Sequence, residues 1–369
     1  MFVCMRICSR YLLQEMLGLF FLSLLALLSI YLLVDFFSKV DNALENQAGI
    51  FPLLLFLLNQ IPFIVGKFIP LALLLATMLA LGGMAQHNEI VALQAGGIGM
   101  ARLTAPLAAA GLVLALLTFF INDHVVPVTS LQADYLETVV IKGKKEKNLY
   151  NLKSLWYVSK SAIYYFEGLD PEKRTIERAL LYNFSEDRRL RRRLDIEKLS
   201  YHETEHRWVG ELVFIRDFYF RDGFTDFAGF ERADNLEIVL SESFADFMVP
   251  RKEPDRMSLS ELSRYVSKAK NAGLAYMEYT VEIYNRIFYP VSCLLMVLLA
   301  VPFSLASRRH GGAARGIAIS LGLGFSFWIT LSLSLALGQG RLLSPLSAAA
   351  LPYLVYGLFA LFMFRRSLA

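Results

Sequence analysis

Cysteine is scarce. Cys4, Cys8 and Cys293 are the three in the chain, each in or beside an apolar block, and the long polar middle has none. A disulfide framework is therefore excluded for that middle region. Lysine and arginine nowhere gather into the stripe that a nucleic-acid surface requires, and the net charge is only +4, so nucleic acid is not an expected partner. The phosphate-binding pattern G-x-x-x-x-G-K-[ST] is missing too. The glycine-rich GGIGMAR at 96–102 lacks the lysine and hydroxyl that would hold phosphate and magnesium, so the chain is not expected to hydrolyse ATP by itself. H-E-x-x-H, C-x-x-C and G-x-S-x-G are also missing. His202 and His206 in HETEH have helical ligand spacing, but their segment has strand or turn character and reads as solvated polar surface. Neither catalysis nor a bound metal or other cofactor is expected of this chain.

What the chain has in excess is apolar length. Hydrophobic residues make up 56% of its 369 residues and fall in blocks, the mark of an integral membrane protein. A helix rising about 1.5 Å per residue crosses a hydrocarbon core of about 30 Å in roughly 20 residues. Six stretches meet that need: Tyr11 to Phe37, Phe51 to Met84, Arg102 to Ile121, Ile283 to Leu305, Ile317 to Leu337 and Leu343 to Phe364. The second is overlong and interrupted by Pro62, Lys67 and Pro70, which implies tilt or a start outside the hydrocarbon. The first is too long for a removable leader and reads as a retained anchor.

Charge placement sets orientation. Arg6 and Arg10 precede span one, Arg102 ends the connection from span two to three, Arg308, Arg309 and Arg315 lie between spans four and five, and Arg365 and Arg366 follow span six. The alternate connections carry only Lys39 and Arg341. By the positive-inside rule both termini are cytoplasmic and the middle region faces outward. The expected domains are a membrane half at 1–122, an outward domain at 123–276 and a second membrane half at 277–369.

Within the outward domain, SLWYVSKSAIYYFEG, RTIERALLYNF, KLSYHETEHRWVGELVFIRDFYF and DNLEIVLS are aromatic and β-branched runs broken by turn residues. Closely spaced strands without intervening helices predict an antiparallel sandwich or open barrel. In MSLSELSRYVSKAKNAG, Ser258 stands three residues before Glu261, a capping box that opens a helix ending at Gly273. Between spans two and three, residues from Met84 to Leu93 favour an amphipathic helix, which Gly96, Gly97 and Gly99 stop. Such a helix, held between spans, either passes a push from a docked protein or lies on lipid.

AQHNEIVALQAGG, YPVSCLLMVLLAVPFSL at 289–305, GFSFWITLSLSLALGQ at 324–339 and LSPLSAAALPYLVYGL at 343–358 resemble the lipopolysaccharide-export permeases of the LptF/LptG (YjgP/YjgQ) family. VDFFSKVDN and MSLSELSRYV lean towards the LptG-like member. The resemblance implies a membrane α-helical fold of six spans with an inserted β-jellyroll-like periplasmic domain, in the bacterial inner membrane. It implies an ABC-transporter permease that extracts lipopolysaccharide and hands it to a periplasmic bridge protein. Its partners would be an LptF-like homologue, an LptB-like ATPase dimer that carries the ATP and magnesium, and an LptC-like membrane protein. The helix at about 84–96 would be the coupling helix, with Glu89 docking into the ATPase.

Lipid phosphates need basic groups at the rim of an apolar cavity. Lys39, Lys67 and Arg286 are candidates, with Glu282, one turn before Arg286, offering an ion pair instead. The ammonium groups of Lys39 and Lys67 either meet phosphate or snorkel to the interface. Lys142, Lys144 and Lys145 in IKGKKEKN meet phosphate or are simply solvated. Asp134 and Glu137 stand where the family places bases. Two rival classes fit the residues less fully: an ion-driven secondary transporter working through Lys67, and a membrane scaffold for the β domain.

Overall fold

A computed structural model of the chain describes residues 2–46, 48–143, 154–159, 162–170, 173–185, 187, 189–203, 207–221, 224–240, 244, 253–271, 276–306 and 313–368. The chain forms two compact units: Met1–Ala133, Pro254–Ser263 and Met277–Ala369 make the first, and Asp134–Glu253 with Arg264–Tyr276 make the second. The boundary at 276/277 falls where expected, whereas the one expected at 122/123 lies at 133/134 and Pro254–Ser263 belongs to the first unit. The third long helix continues past Ile121, and the segment Pro254–Ser263 packs with the membrane helices.

The first unit holds α1 (Phe2–Glu45), α2 (Ile50–Gln86), the short α3 (Glu89–Ala95) and α4 (Met100–Phe120). From α4 the helix runs on through a π-helical turn at Ile121–Val125, α5 (Val126–Tyr135) and a second π turn at Leu136–Ile141. After the β strands come α6 (Leu259–Asn271), α7 (Met277–Phe288), α8 (Val291–Ala306), α9 (Ala313–Gln339) and α10 (Pro345–Leu368). Among the described residues, five helices are long and apolar enough to cross a membrane, and α7 with α8, read as one span bent by 53°, gives the sixth. The bend falls at Tyr289–Pro290, where proline supplies no N–H and disfavours helical geometry in the residue before it. Span four is thus a broken helix and not the single run expected at 283–305.

Burial ranks the helices. The most apolar window of α2 is 78% buried and that of α1 only 6%, so α2 is the central helix and α1 a peripheral one whose apolar side chains face outward. One face of α2 packs Ile69, Leu73, Ala76 and Ala80 against Met16 and Phe20 of α1, Leu107 of α4 and Val297 of α8. Its opposite face packs Leu71, Leu74 and Met78 against Leu299 of α8, Phe327 of α9 and Tyr353 of α10. Apolarity does not decide this ranking, since lipid accepts apolar side chains as readily as another helix does: the window of α1 is the more apolar of the two and the less buried.

The second unit contains an antiparallel sheet of β1 (Ser154–Val158), β2 (Ala162–Asp170), β3 (Thr175–Phe184), β4 (Leu190–His202), β5 (Arg207–Arg221), β6 (Phe224–Ala233) and β7 (Leu236–Ile238). Strands one to six follow one another in order, and β7 shares the β6 edge of β5. The inserted domain is built on an antiparallel β-sheet as expected, with helical residues from Leu136–Ile141 and from α6 in the same unit; among the described strands its connectivity is a meander. Alternation puts Tyr164, Phe166, Leu181, Ile196, Leu199, Trp208, Val213 and Ile238 in one core. The expected strand runs account for β1, β2, β3, β5 and β7. They miss β6 and the first half of β4, where LRRRLDIE looks too charged for a strand. Those arginines find carboxylates on the sheet: Arg192 pairs with Asp217 across the strands and Arg193 with Asp195 along β4.

Trp208 is 1% exposed and its ring lies 4.8 Å from that of Tyr201. Trp208→Ala should cost about 3–5 kcal/mol. In the full chain this should appear as faster hydrogen exchange across β4 and β5, with the membrane helices unchanged. Arg192 donates to Asp217 at 2.6 and 3.2 Å, and that hydrogen bond holds the Asp217 carboxyl below its ordinary value. A depressed carboxylate contributes stability above its unfolded-state pKa and loses it as pH falls through the folded one. Arg192→Gln should return Asp217 to the ordinary aspartate value in carboxylate-carbon NMR.

Candidate functional site

Two polar places stand out against the apolar bundle. The first is the short helix α3. Helix α2 stops at Gln86, His87 folds its Nδ1 to within 2.9 Å of the Gly83 carbonyl, and Asn88 turns the chain in the left-handed region at φ 61°. Helix α3 begins at Glu89, so the expected single helix from Met84 is corrected: Met84–Gln86 belong to α2. Asparagine tolerates the left-handed region better than most residues, which is why the break falls there. The far end closes as a Schellman motif, with Ile98 N–H donating to the Leu93 carbonyl at 3.0 Å and Gly97 N–H to Gln94 at 2.9 Å. Gly97, at φ 84°, takes the position that requires glycine. Ile90 is fully buried among Met84, Ala85, Met100 and Leu103. The helix is thereby pinned by one side chain, while Glu89 is half-buried and Val91, Ala92 and Gln94 are exposed.

The second place runs along α2. Phe56, Gln60, Phe63 and Lys67 recur at helical spacing and form one stripe. Lys39 of α1 puts its Nζ 4.0 Å from the Phe56 ring centre and 3.7 Å from Asp35 Oδ1. About 10 Å further along the helix, Lys67 Nζ lies 4.1 Å from the Phe63 ring centre, and the Arg256 guanidinium lies 4.9 Å from the same ring. Two cations thus share one aromatic ring. Asp255 Oδ2 meets Lys67 Nζ at 2.8 Å. The Lys67 carbonyl accepts from Tyr289 Oη at 2.7 Å, so the residue at the bend of span four positions the backbone that carries the cation.

Arg286 has a different task from the one expected. It is 4% exposed, and it donates to the carbonyls of Asn122 at 2.8 Å, Asp255 at 2.6 Å and Met257. Its donors are directed at backbone acceptors inside the bundle, which removes it from the set of lipid-facing cations. Glu282, weighed as its ion-pair partner, accepts from Asn285 Nδ2 at 3.0 Å. The clamp ties the strap Pro254–Arg256 to the π turn after α4. The same turn is held twice more: Asp123 Oδ1 accepts from Leu259 N–H at 2.7 Å, and Asn122 packs so closely on Gly66 that a Cβ there would collide with its side chain. The capping box forms as expected, with Ser258 N–H donating to Glu261 and Glu261 N–H to Ser258 Oγ.

Of the remaining candidates, Lys142 pairs with Glu137 at 2.6 Å, and Lys144 and Lys145 lie outside the described residues. No group of metal-binding side chains occurs among the described residues. Sequence reasoning missed Asp255 and Arg256. The Phe56–Gln60–Phe63–Lys67 spacing was visible, but nothing local pairs residue 67 with residue 255.

Six spans with a central enclosed helix, a pinned two-turn helix between spans and an inserted antiparallel sheet define a polytopic membrane protein carrying a β domain. The family model for the lipopolysaccharide export system permease LptF/LptG matches residues 10–366, and the chain belongs to that family. It is 22% identical over 315 residues to the lipopolysaccharide export system permease protein LptG of Haemophilus influenzae, covering 82% of each chain. With the LptG protein of Escherichia coli K12 it shares 24% identity over 301 residues, covering 80% of each.

The buried clamp carries a stability prediction. Arg286→Lys replaces a planar fork with one ammonium that cannot reach three carbonyls. It should destabilise the membrane unit by about 2–3 kcal/mol, read as a lowered unfolding midpoint of the purified chain in detergent.

Proposed function

We propose that this chain is the LptG-like permease subunit of an ABC exporter, pairing with an LptF-like homologue to extract lipopolysaccharide from the inner membrane. Both termini are cytoplasmic in this reading and the β domain is periplasmic, where it joins a bridge protein with the help of an LptC-like subunit. Lipid enters sideways into a cavity between the two permeases. An LptB-like ATPase dimer binds beneath them and carries the ATP and magnesium, and this chain contributes no cofactor and no catalytic residue of its own.

The observation that carries the reading is α3. A docking element has to be stiff, since a helix that yields under load passes nothing on. Burial of Ile90 and the glycine closure at Gly97 supply that stiffness, and the exposed face beside Glu89 is left for a partner. ATP binding then closes the cavity by moving α3, and with it the end of the central helix α2. Coupling of this kind requires contacts that differ between two states of the partner, beyond simple attachment. Lys39 and Lys67 meet the lipid phosphates, and lipid is expelled towards the β-domain bridge.

Tagged chain taken from its native membrane in mild detergent should retain a homologous six-span protein, a P-loop ATPase and lipopolysaccharide. Glu89→Ala should weaken ATPase docking by about 2 kcal/mol, roughly 30-fold, and depress transport further than docking. Recovery without any ATPase, under conditions that preserve other transporter complexes, would overturn this reading in favour of an ion-driven transporter or a scaffold.

A further inference from the structure

The proposed role of Lys67 leaves its carboxylate partner unexplained, and the following rests on that role. Asp255 uses both of its polar ends. Its backbone carbonyl is held by the buried Arg286, and its side chain lies on Lys67 at 2.8 Å. The strap therefore presents the carboxylate from a fixed support. Half of the Lys67 side chain and a third of that of Asp255 remain accessible, at 49% and 34%, so an incoming anion can reach the pair. Arg256 follows on the same strap and shares the Phe63 ring with Lys67. A ligand that takes the carboxylate's place on Lys67 thus has a second cation beside the same ring.

We propose that Asp255 is a resident counter-ion that selects among anionic lipids: a lipid phosphomonoester displaces it from Lys67, and a lipid phosphodiester does not. The argument is one of competition. A carboxylate tethered to a clamped strap acts at high effective concentration, so a free ligand of equal charge gains little by replacing it. A phosphodiester carries one negative charge. A phosphomonoester carries about −1.5 to −2 near neutral pH and has three acceptor oxygens, enough to hold Lys67 and engage Arg256 together. Ordinary singly charged membrane lipids are thereby refused at a site open to them. Discrimination comes from the repulsive partner as much as from the attractive one.

The test uses the full chain, with the subunits that stay bound, in phosphatidylcholine nanodiscs titrated with phosphatidic acid or with phosphatidylmethanol of the same acyl chains. The two lipids differ by one methyl ester and hence by one ionisable oxygen. Wild-type protein should bind phosphatidic acid more tightly, and equal affinities would overturn the proposal without any variant. Asp255→Asn should tighten phosphatidylmethanol binding by about two- to fivefold, the worth of a half-exposed ion pair, and narrow the preference. Asp255→Glu should keep it. Unchanged affinities in Asp255→Asn, or loss of both lipids in parallel, would assign Asp255 a purely structural role. Inorganic phosphate is the third arm. Failure to displace phosphatidic acid is expected, and displacement at matched concentration would make the ligand free phosphate and overturn the lipid part. If Lys67→Met leaves both lipids unchanged, the lipid contact at Lys67 itself is wrong. If it weakens both while Asp255→Asn is silent, only the counter-ion role falls.

Discussion

One buried guanidinium organises the membrane unit. Arg286 sits where a helix broken by Pro290, a π turn and a returning strap come together; the broken helix carries the arginine, and the turn and the strap bring the carbonyls of Asn122, Asp255 and Met257 to it. Inside a bilayer such carbonyls have no water to turn to, so a donor from the protein has to meet them. Arginine suits the task because its donors lie in one rigid plane and its charge survives burial. Around this point the irregular backbone becomes tolerable, and the irregular backbone in turn positions Lys67, Asp255 and Arg256. The charged group serves the architecture, and the architecture arranges the exposed charges.

Proline and glycine place the functional parts. Pro290 bends span four and brings Tyr289 to the Lys67 carbonyl. Asn88 and Gly97 cut out a two-turn helix that would otherwise run on into its neighbours. In each case a residue that weakens a regular helix sets where the helix ends or bends. The central helix α2 links the two places: its middle carries the aromatic and cationic stripe, and its end leads into α3. A movement imposed on α3 therefore reaches the helix that carries Lys67, by covalent continuity and by the packing of α2 among α1, α8 and α9.

Much of this was legible in the chain itself. Spans one, two, five and six follow from apolar length, and the three glycines after Leu93 announced the end of α3. The Ser258–Glu261 capping box was readable because both halves of the hydrogen-bond pair lie within four residues. Aromatic alternation announced most of the sheet. The charged start of β4 was missed because its arginines find carboxylate partners across and along the strands, a pairing that periodicity does not encode.

The sequence by itself determined a membrane protein with six apolar crossings, an inserted β domain, a polar turn at Glu89 and the kinship that residues 10–366 display. Those features are local, resting on runs, spacings and caps within a few turns of chain. The tertiary structure alone decided what the cations do. Arg286 and Lys67 look alike in sequence, each a basic residue in an apolar run. Folding buries one against backbone carbonyls and leaves the other half-exposed beside an acid 188 residues away. Burial and long-range contact separate them, and neither is a property of the residue or of its neighbours in the chain.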